Sequence, residues 1–361
     1  MNRIEKLSIR SSYKQIVGLC LFSFVFVFFC SKCSPLYYFN DYCDPHIYFS
    51  VGKGLFNDKV LYRDIFDHKG PLIFLIYGIA YQISNADFSG VFLMESLSLF
   101  LTLLYVYKTG LLFLTKEKAF ILSLIFAVIL FLRSGDGGSA DEFIVPFITI
   151  SFYYFILFYS KGGVSVKILY KHFFIHGIMF GTVFFIKYTA CLIWPALLFG
   201  VLYKLYKSDG LKSILISSAC FLGGFLLICL PIIFYFIYHS ALPDFIFGYF
   251  KFNMIYASSS LGFEFDAFAN IIAKFYKGIK QLNISFLIIV FGFIFTLFSN
   301  KTVNDRIFKI SLLISFFLTY SILASSPAEM GYAYIILFSF SILGWISILD
   351  YLFKMNTRIL T

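Results

Sequence analysis

Residues 213–239, SILISSACFLGGFLLICLPIIFYFIYH, form a run of 27 residues that contains no Asp, Glu, Lys or Arg. As a helix rising about 1.5 Å per residue, this run is long enough to cross the roughly 30 Å hydrocarbon core of a bilayer. The whole chain has a similar character, because 60% of its 361 residues are hydrophobic and only 13% are charged. Soluble proteins carry about 25% charged residues. The composition therefore excludes a soluble enzyme and predicts an all-α polytopic membrane protein.

About ten apolar runs have membrane-spanning length, and short polar clusters separate them. We predict spans at residues 15–32, 88–107, 118–133, 142–160, 172–188, 190–205, 213–239, 281–300, 307–325 and 331–353. No polar segment is long enough for a separate soluble domain, so the sequence predicts a single transmembrane domain over residues 1–361. Its outer loops are expected at residues 33–87, 133–142 and 240–280.

The apolar residues 71–84 are too few to cross a bilayer, and we interpret them as an interfacial or re-entrant helix in the first outer loop. With this choice and a cytoplasmic N-terminus, 18 of the 29 Lys and Arg residues fall on the cytoplasmic side. Counting residues 71–84 as a span would move most of those cations outside. We therefore predict that both termini are cytoplasmic. The scattered cations also argue against a nucleic-acid partner, despite the net charge of +10.

Acidic residues show the opposite distribution, with 13 of the 19 on the predicted outer side. Since Asp and Glu contribute little to membrane topology, this bias favours a functional outer face over simple solvation of loops. Glu95 is an exception, because it lies deep in the second predicted span. A membrane-buried ionisable residue is a functional candidate by default.

The first outer loop contains the most informative motif, at residues 41–72, DYCDPHIYFSVGKGLFNDKVLYRDIFDHKGPL. Asp44 before Pro45 predicts a helix with Asp44 as its N-cap and Tyr48 one turn later. Further on, Arg63 and Lys69 precede the short apolar helix, where they are suited to hold a phosphate group. The alternative is a solvated loop with internal ion pairs.

Three later motifs fall on the same predicted side of the membrane. They are SGDGGSADEFIVPF at residues 134–147, with Asp141 and Glu142; FFIKYTA at residues 184–190, with Lys187; and DFIFGYFKFNMIY at residues 244–256, with Tyr249 and Asn253. In their order and common side, these motifs and the first-loop motif resemble the GT-C glycosyltransferases of the aminoarabinose-transferase and protein O-mannosyltransferase type. The chain differs from larger members in having fewer spans, no soluble C-terminal domain, and no histidine in SSPAEMGYAY, residues 325–334.

The resemblance implies a bacterial plasma-membrane enzyme that transfers a sugar from a polyprenyl-phosphate donor to an acceptor on the extracytoplasmic side. The acceptor would be a surface polysaccharide, a lipid or a protein. The implied roles are Asp44 as general base, Asp141 or Glu142 orienting a substrate, Lys69, Lys187 and Arg63 on the phosphate, and Tyr48, Tyr249 and Asn253 in substrate binding. No cofactor is required by this chemistry, although clustered acids are compatible with a divalent metal. Asp41 stays an alternative to Asp44 as the base.

Two other classes of membrane protein compete with this interpretation. A polysaccharide flippase or exporter would carry cations along a central cavity rather than acids in outer loops. An outer-face polysaccharide polymerase would carry a late loop rich in arginine, whereas residues 240–280 contain only lysines among their cations. A non-enzymatic scaffold would leave the ordered first-loop motif unexplained.

Overall fold

The structure, a computed structural model, describes residues 13–134, 136–160, 166–258, 284–324 and 331–359, and all regular structure in these ranges is helical. The α-helices are α1 Tyr13–Cys30, α2 Cys43–Leu55, α3 Pro71–Ile83, α4 Ser89–Gly110, α5 Lys116–Ser134, α6 Ala140–Tyr159, α7 Val166–Lys187, α8 Trp194–Tyr238, α9 Leu242–Phe245, α10 Phe252–Ser258, α11 Ile284–Phe298, α12 Arg306–Ala324 and α13 Ile342–Ile359. Tyr188–Ile193 and Gly331–Ser341 are 3₁₀ helices, and Ile246–Lys251 is a π-helix. The predicted all-α fold is confirmed.

A helix is described at each of the ten predicted spans. Within the described ranges, six helical segments are long and apolar enough to cross a membrane, and one of them, Ile168–Tyr238, contains three predicted spans. The count of ten, the sidedness and the position of the termini stay predictions. Residues 259–280 of the predicted late outer loop and residue 135 of the second loop lie outside the described residues.

Helix α8 contains a break that divides it into two parts. Its 45 residues would measure about 68 Å if straight, more than twice the hydrocarbon thickness. Gly210 has φ 73° and ψ −168°, a conformation that L-residues with a side chain rarely adopt, and the chain turns there. The break therefore matches the predicted polar turn between residues 205 and 213.

Charged residues that the sequence assigns to one side of the membrane contact one another. At the predicted outer end, Lys32 pairs with Asp41 at 2.6 Å and with Asp136 at 2.9 Å, which ties the first outer loop to the second. At the opposite end, Lys204 pairs with Asp305, which joins α8 to the segment before α12. Each ion pair thus joins residues that the sequence assigns to the same side, and the sidedness itself stays a prediction.

The first outer loop contains two helices, α2 and α3, that pack closely. A Cβ atom on Gly52 would lie 2.5 Å from the backbone nitrogen of Gly78, so glycine allows the backbones to approach each other. Helix α3 has 13 residues, about 20 Å, which is too short to cross a bilayer. The predicted N-cap role of Asp44 is wrong, because α2 begins at Cys43 and Asp44 lies in its first turn.

Candidate active site

Asp44 is held by three tyrosine hydroxyl groups. Its Oδ2 accepts hydrogen bonds from Tyr42 at 2.9 Å, Tyr48 at 3.0 Å and Tyr332 at 3.1 Å. Tyr48 reaches it because residues four apart share one face of a helix. The side chain of Asp44 is largely buried, with 9% of the residue exposed. Three donors on one oxygen stabilise the charged carboxylate and fix its orientation.

We call the three tyrosines that donate to Asp44 its cradle. They stay protonated and can therefore donate these hydrogen bonds. Burial, and then the charge on Asp44, raise the pKa of Tyr48 well above its usual value. The other carboxylate oxygen, Oδ1, has a weak contact with the Cys43 thiol at 3.9 Å. Asp44 thus has one oxygen saturated with hydrogen bonds and another suited to accept a proton.

Lys69 is positioned by a close backbone contact between the first outer loop and the C-terminal end of α7. The Gly70 N–H donates to the Ile186 carbonyl at 3.1 Å. The Lys69 N–H donates to Asp67 Oδ1 at 2.9 Å, and its carbonyl accepts the Tyr62 hydroxyl at 2.6 Å. Since Lys187 directly follows Ile186, this contact brings the two lysines to the same region.

Replacing Gly70 with alanine is expected to disrupt this contact. A Cβ atom there would lie 2.1 Å from the Phe185 carbonyl oxygen, which is backbone and cannot rotate away. We expect a loss of about 1–3 kcal/mol of stability, measured by thermal unfolding of the detergent-purified protein.

Gly223→Ala is the matched control, because its added Cβ would meet its nearest neighbour at an ordinary 3.7 Å. Equal unfolding temperatures for Gly70→Ala and the native protein would contradict the prediction.

Lys187 forms an ion pair with Asp141. Its Nζ lies 2.7 and 2.9 Å from the two carboxylate oxygens. Asp141 is in the first turn of α6, whose N-cap Ser139 accepts the Glu142 N–H. The Asp141 side chain is 3% exposed and that of Lys187 is 20% exposed, so the lysine side chain is the more accessible member of the pair.

The four charged groups of the candidate site influence one another. Burial, followed by the positive charge of Lys187, lowers the pKa of Lys69, and the charges on Asp44 and Asp141 oppose this effect. The Lys69 ammonium lies 3.5 Å from His68 Nε2. Burial also lowers the pKa of His68, which favours the neutral imidazole that can accept this contact. The site therefore combines two carboxylates and two ammonium groups.

Four of the predicted site residues have other roles in the structure, and the first two are Arg63 and Tyr249. Arg63 donates to Asp64 at 2.9 and 3.0 Å and to the His239 carbonyl, so its described hydrogen bonds link α8 to the first loop rather than joining the site. Tyr249 is buried, and its hydroxyl donates to the Phe184 carbonyl and accepts the Tyr188 N–H. These two hydrogen bonds attach Tyr249 to the C-terminal end of α7.

Asn253 and Glu142 also lie beside the site rather than in it. Asn253 donates to the His68 carbonyl at 2.7 Å and to the Tyr249 carbonyl at 2.8 Å, and so supports the loop that carries Lys69. Glu142 accepts hydrogen bonds from Ser139 and Gly138, away from Lys187.

Tyr332 is a site residue that the sequence motifs did not single out. It lies 288 positions from Asp44. The signal in the sequence was its place in SSPAEMGYAY, at the start of the last predicted span. For metals, the described ranges contain no group of three or more His, Cys, Asp or Glu side chains arranged to hold an ion.

Comparison with known proteins finds a family whose model matches part of the chain. Residues 68–239, which include Lys69, Asp141 and Lys187, match the family model described as dolichyl-phosphate-mannose-protein mannosyltransferase. No curated protein sequence matches the chain significantly.

The fold is similar to the crystal structure of ArnT from Cupriavidus metallidurans bound to undecaprenyl phosphate, with a TM-score of 0.61 and 12% sequence identity. The similarity covers 91% of this chain and 58% of that one, so the chain spans less than two thirds of the length of ArnT. The chain is thus similar to that mannosyltransferase family over residues 68–239, and similar to ArnT in its fold.

Proposed function

We propose that this chain transfers a sugar from a polyprenyl-phosphate donor to an acceptor hydroxyl on the extracytoplasmic side of the membrane, with Asp44 as the general base. The observation that carries the proposal is the cradle of Asp44. A buried carboxylate with one oxygen fixed by three hydroxyl donors is arranged to take a proton on the other oxygen. The ligand named for the structure of ArnT, undecaprenyl phosphate, supports the class of donor.

The reaction requires one displacement at the anomeric carbon. The acceptor oxygen forms a bond to that carbon while its proton passes to Asp44 Oδ1. The bond from the anomeric carbon to the phosphate oxygen breaks, and the electron pair leaves with the polyprenyl phosphate. Lys69 and Lys187 stabilise the negative charge on that departing phosphate. A single displacement of this kind inverts the anomeric configuration.

Asp141 has a supporting part in this scheme. It neutralises the ammonium group of Lys187, which lies 2.7 Å away. This ion pair already restricts the Lys187 side chain, so that side chain has less conformational entropy left to lose when it contacts the phosphate. Asp41, the alternative base, pairs with Lys32 and is exposed, which favours Asp44 for this role.

Mass spectrometry of lipid-linked sugars and surface glycans in a deletion strain tests the proposed class. We expect one sugar to disappear from the glycan while its lipid-linked donor accumulates, and the native chain to restore both. Accumulation of complete lipid-linked repeat units would overturn the proposal in favour of export or polymerisation.

As the pH rises, the rate of transfer is expected to fall at a lower pH than it would if Lys69 had the usual pKa of a lysine. Lysine is charged below its pKa, and burial lowers that of Lys69, so its charge is lost at a lower pH than usual as the pH rises. A Lys69→Arg variant stays charged throughout, and its alkaline limb should move to higher pH. Rates measured across the alkaline range check this shift.

Lys59→Arg is the control, because Lys59 is an exposed residue of the same loop. An alkaline limb that does not move in Lys69→Arg would contradict the assignment of Lys69.

A further inference from the structure

Glu95 and Glu142 form a pair of acids close to the candidate active site. Glu95 projects from α4 and is 5% exposed, and Glu142 is half-buried in the first turn of α6. One oxygen of each accepts a hydrogen bond from the same Gly138 N–H, so the two carboxyl groups lie close together. Neither has a part in the transfer scheme given above.

The pair holds the loop that leads into α6. The Gly138 N–H donates to an oxygen of Glu95 and, at 3.2 Å, to an oxygen of Glu142. Ser31 donates to Glu95 at 2.7 Å, and Ser139 donates to Glu142 at 2.9 Å. The loop is therefore fixed by both acids, from α4 on one side and from α6 on the other.

The shape of the loop leaves little room for movement. Gly137 and Gly138 have φ of 89° and 80°, in the region that favours glycine. A Cβ on Gly137 would lie 2.2 Å from the Ser31 hydroxyl oxygen and 2.9 Å from a Glu95 oxygen. The Tyr77 hydroxyl also donates to the Gly138 carbonyl at 2.5 Å. A change at either acid is thus transmitted to the start of α6.

The proximity of the two acids determines their protonation. Two carboxylates that share one site repel each other when both are ionised, so a proton on one of them is favoured. Their described partners are hydroxyl groups and a backbone N–H, which are neutral donors and cannot balance two negative charges. One proton between the pair satisfies the geometry with a single negative charge.

We propose that Glu95 and Glu142 share one proton and act as a unit that positions Asp141 against Lys187. Asp141 directly precedes Glu142, so the backbone fixed by the pair also sets the direction of the Asp141 side chain. The two glutamates are positioning residues, because they act on the site through the loop and through Asp141. This positioning role rests on the proposed transfer activity, whereas the shared proton does not.

Infrared spectroscopy of the purified protein tests the shared proton. At neutral pH the native protein should show the C=O stretch of a protonated carboxyl group, shifted when the protein is exchanged into ²H₂O. Glu95→Gln and Glu142→Gln should each lose this band. Each variant keeps one glutamate of the pair, and without a second acid beside it that glutamate no longer needs a proton. Glu117→Gln, at an exposed glutamate, is the control and should keep it.

Two infrared results would overturn the shared proton. One is a native protein without the band, which would mean that both acids are ionised. The other is a band that persists in either single variant, which would mean that the remaining acid is protonated on its own. The measurement needs no substrate, so its outcome is independent of the transfer activity.

Transfer kinetics test the positioning role. Glu95→Gln should keep the rate of the native protein within about threefold, because glutamine resembles the protonated acid. Glu95→Ala should lower kcat on the order of 100-fold through misplacement of Asp141 and Lys187. Equal losses in the glutamine and alanine variants, or no loss in Glu95→Ala, would overturn the positioning role even if the transferase assignment stands.

Discussion

The Asp44→Asn variant is expected to transfer sugar on the order of 1,000-fold more slowly than the native protein. Asparagine has the same shape and can still accept the tyrosine hydroxyl groups, so the local structure should persist. Its amide cannot take the proton of the acceptor hydroxyl, and this loss affects the reaction itself. The measurement is the initial rate of transfer in membranes that contain equal amounts of each protein.

Asp41→Asn is the matched control for this variant. Asp41 lies three residues before Asp44 but is exposed and paired with Lys32, so its charge can be removed without touching the cradle. We expect its rate to stay within about threefold of the native rate, since exposed ion pairs contribute little. Full activity in Asp44→Asn, or a larger loss in Asp41→Asn, would assign the base elsewhere.

The Lys69→Met variant is expected to lower kcat by about 100-fold or more, with a smaller change in KM for the lipid donor. Methionine keeps most of the length of the side chain but removes the ammonium group. Negative charge on the phosphate grows as the bond to the sugar breaks, so a missing cation costs more in the transition state than in the bound donor. Steady-state kinetics at varied donor concentration separate the two effects.

Lys59→Met provides the comparison for Lys69→Met, because it removes an exposed lysine from the same loop. Its kinetic constants should match those of the native protein. A rise in KM alone in Lys69→Met would show that this lysine binds the donor without stabilising the departing phosphate.

The helices were predictable from the sequence because their signal is local. Apolar runs of spanning length predict membrane helices one at a time, and a described helix overlaps each predicted span, although the count of ten stays a prediction. The contact between Asp44 and Tyr48 was predictable for a similar reason, since a separation of four residues fixes it on any helix.

The candidate site was less predictable, because its contacts depend on tertiary packing. Tyr332 joins Asp44 only through the folded bundle. Asp141 and Glu142 were alternatives for one role, orienting a substrate, yet adjacent residues on a helix point about 100° apart. Asp141 contacts Lys187, and Glu142 shares the Gly138 N–H with Glu95.

Arg63 and Tyr249 illustrate a second limit of motif reasoning. Both residues lie in motifs that contain many polar residues of the kinds found in active sites. In the structure, Arg63 donates hydrogen bonds to Asp64 and to the His239 carbonyl, and Tyr249 donates one to the Phe184 carbonyl. A motif gives the residue types that a site needs. It does not give the direction of each side chain, which packing determines.

The cradle of Asp44 also has a consequence for how the protein is made. Asp44 and two of its tyrosines leave the ribosome long before Tyr332, which follows Asp44 by 288 positions. A nascent chain that has already inserted its first helices therefore lacks one of the three hydrogen-bond donors to Asp44. The cradle is complete only after the segment that contains Tyr332 has joined the bundle.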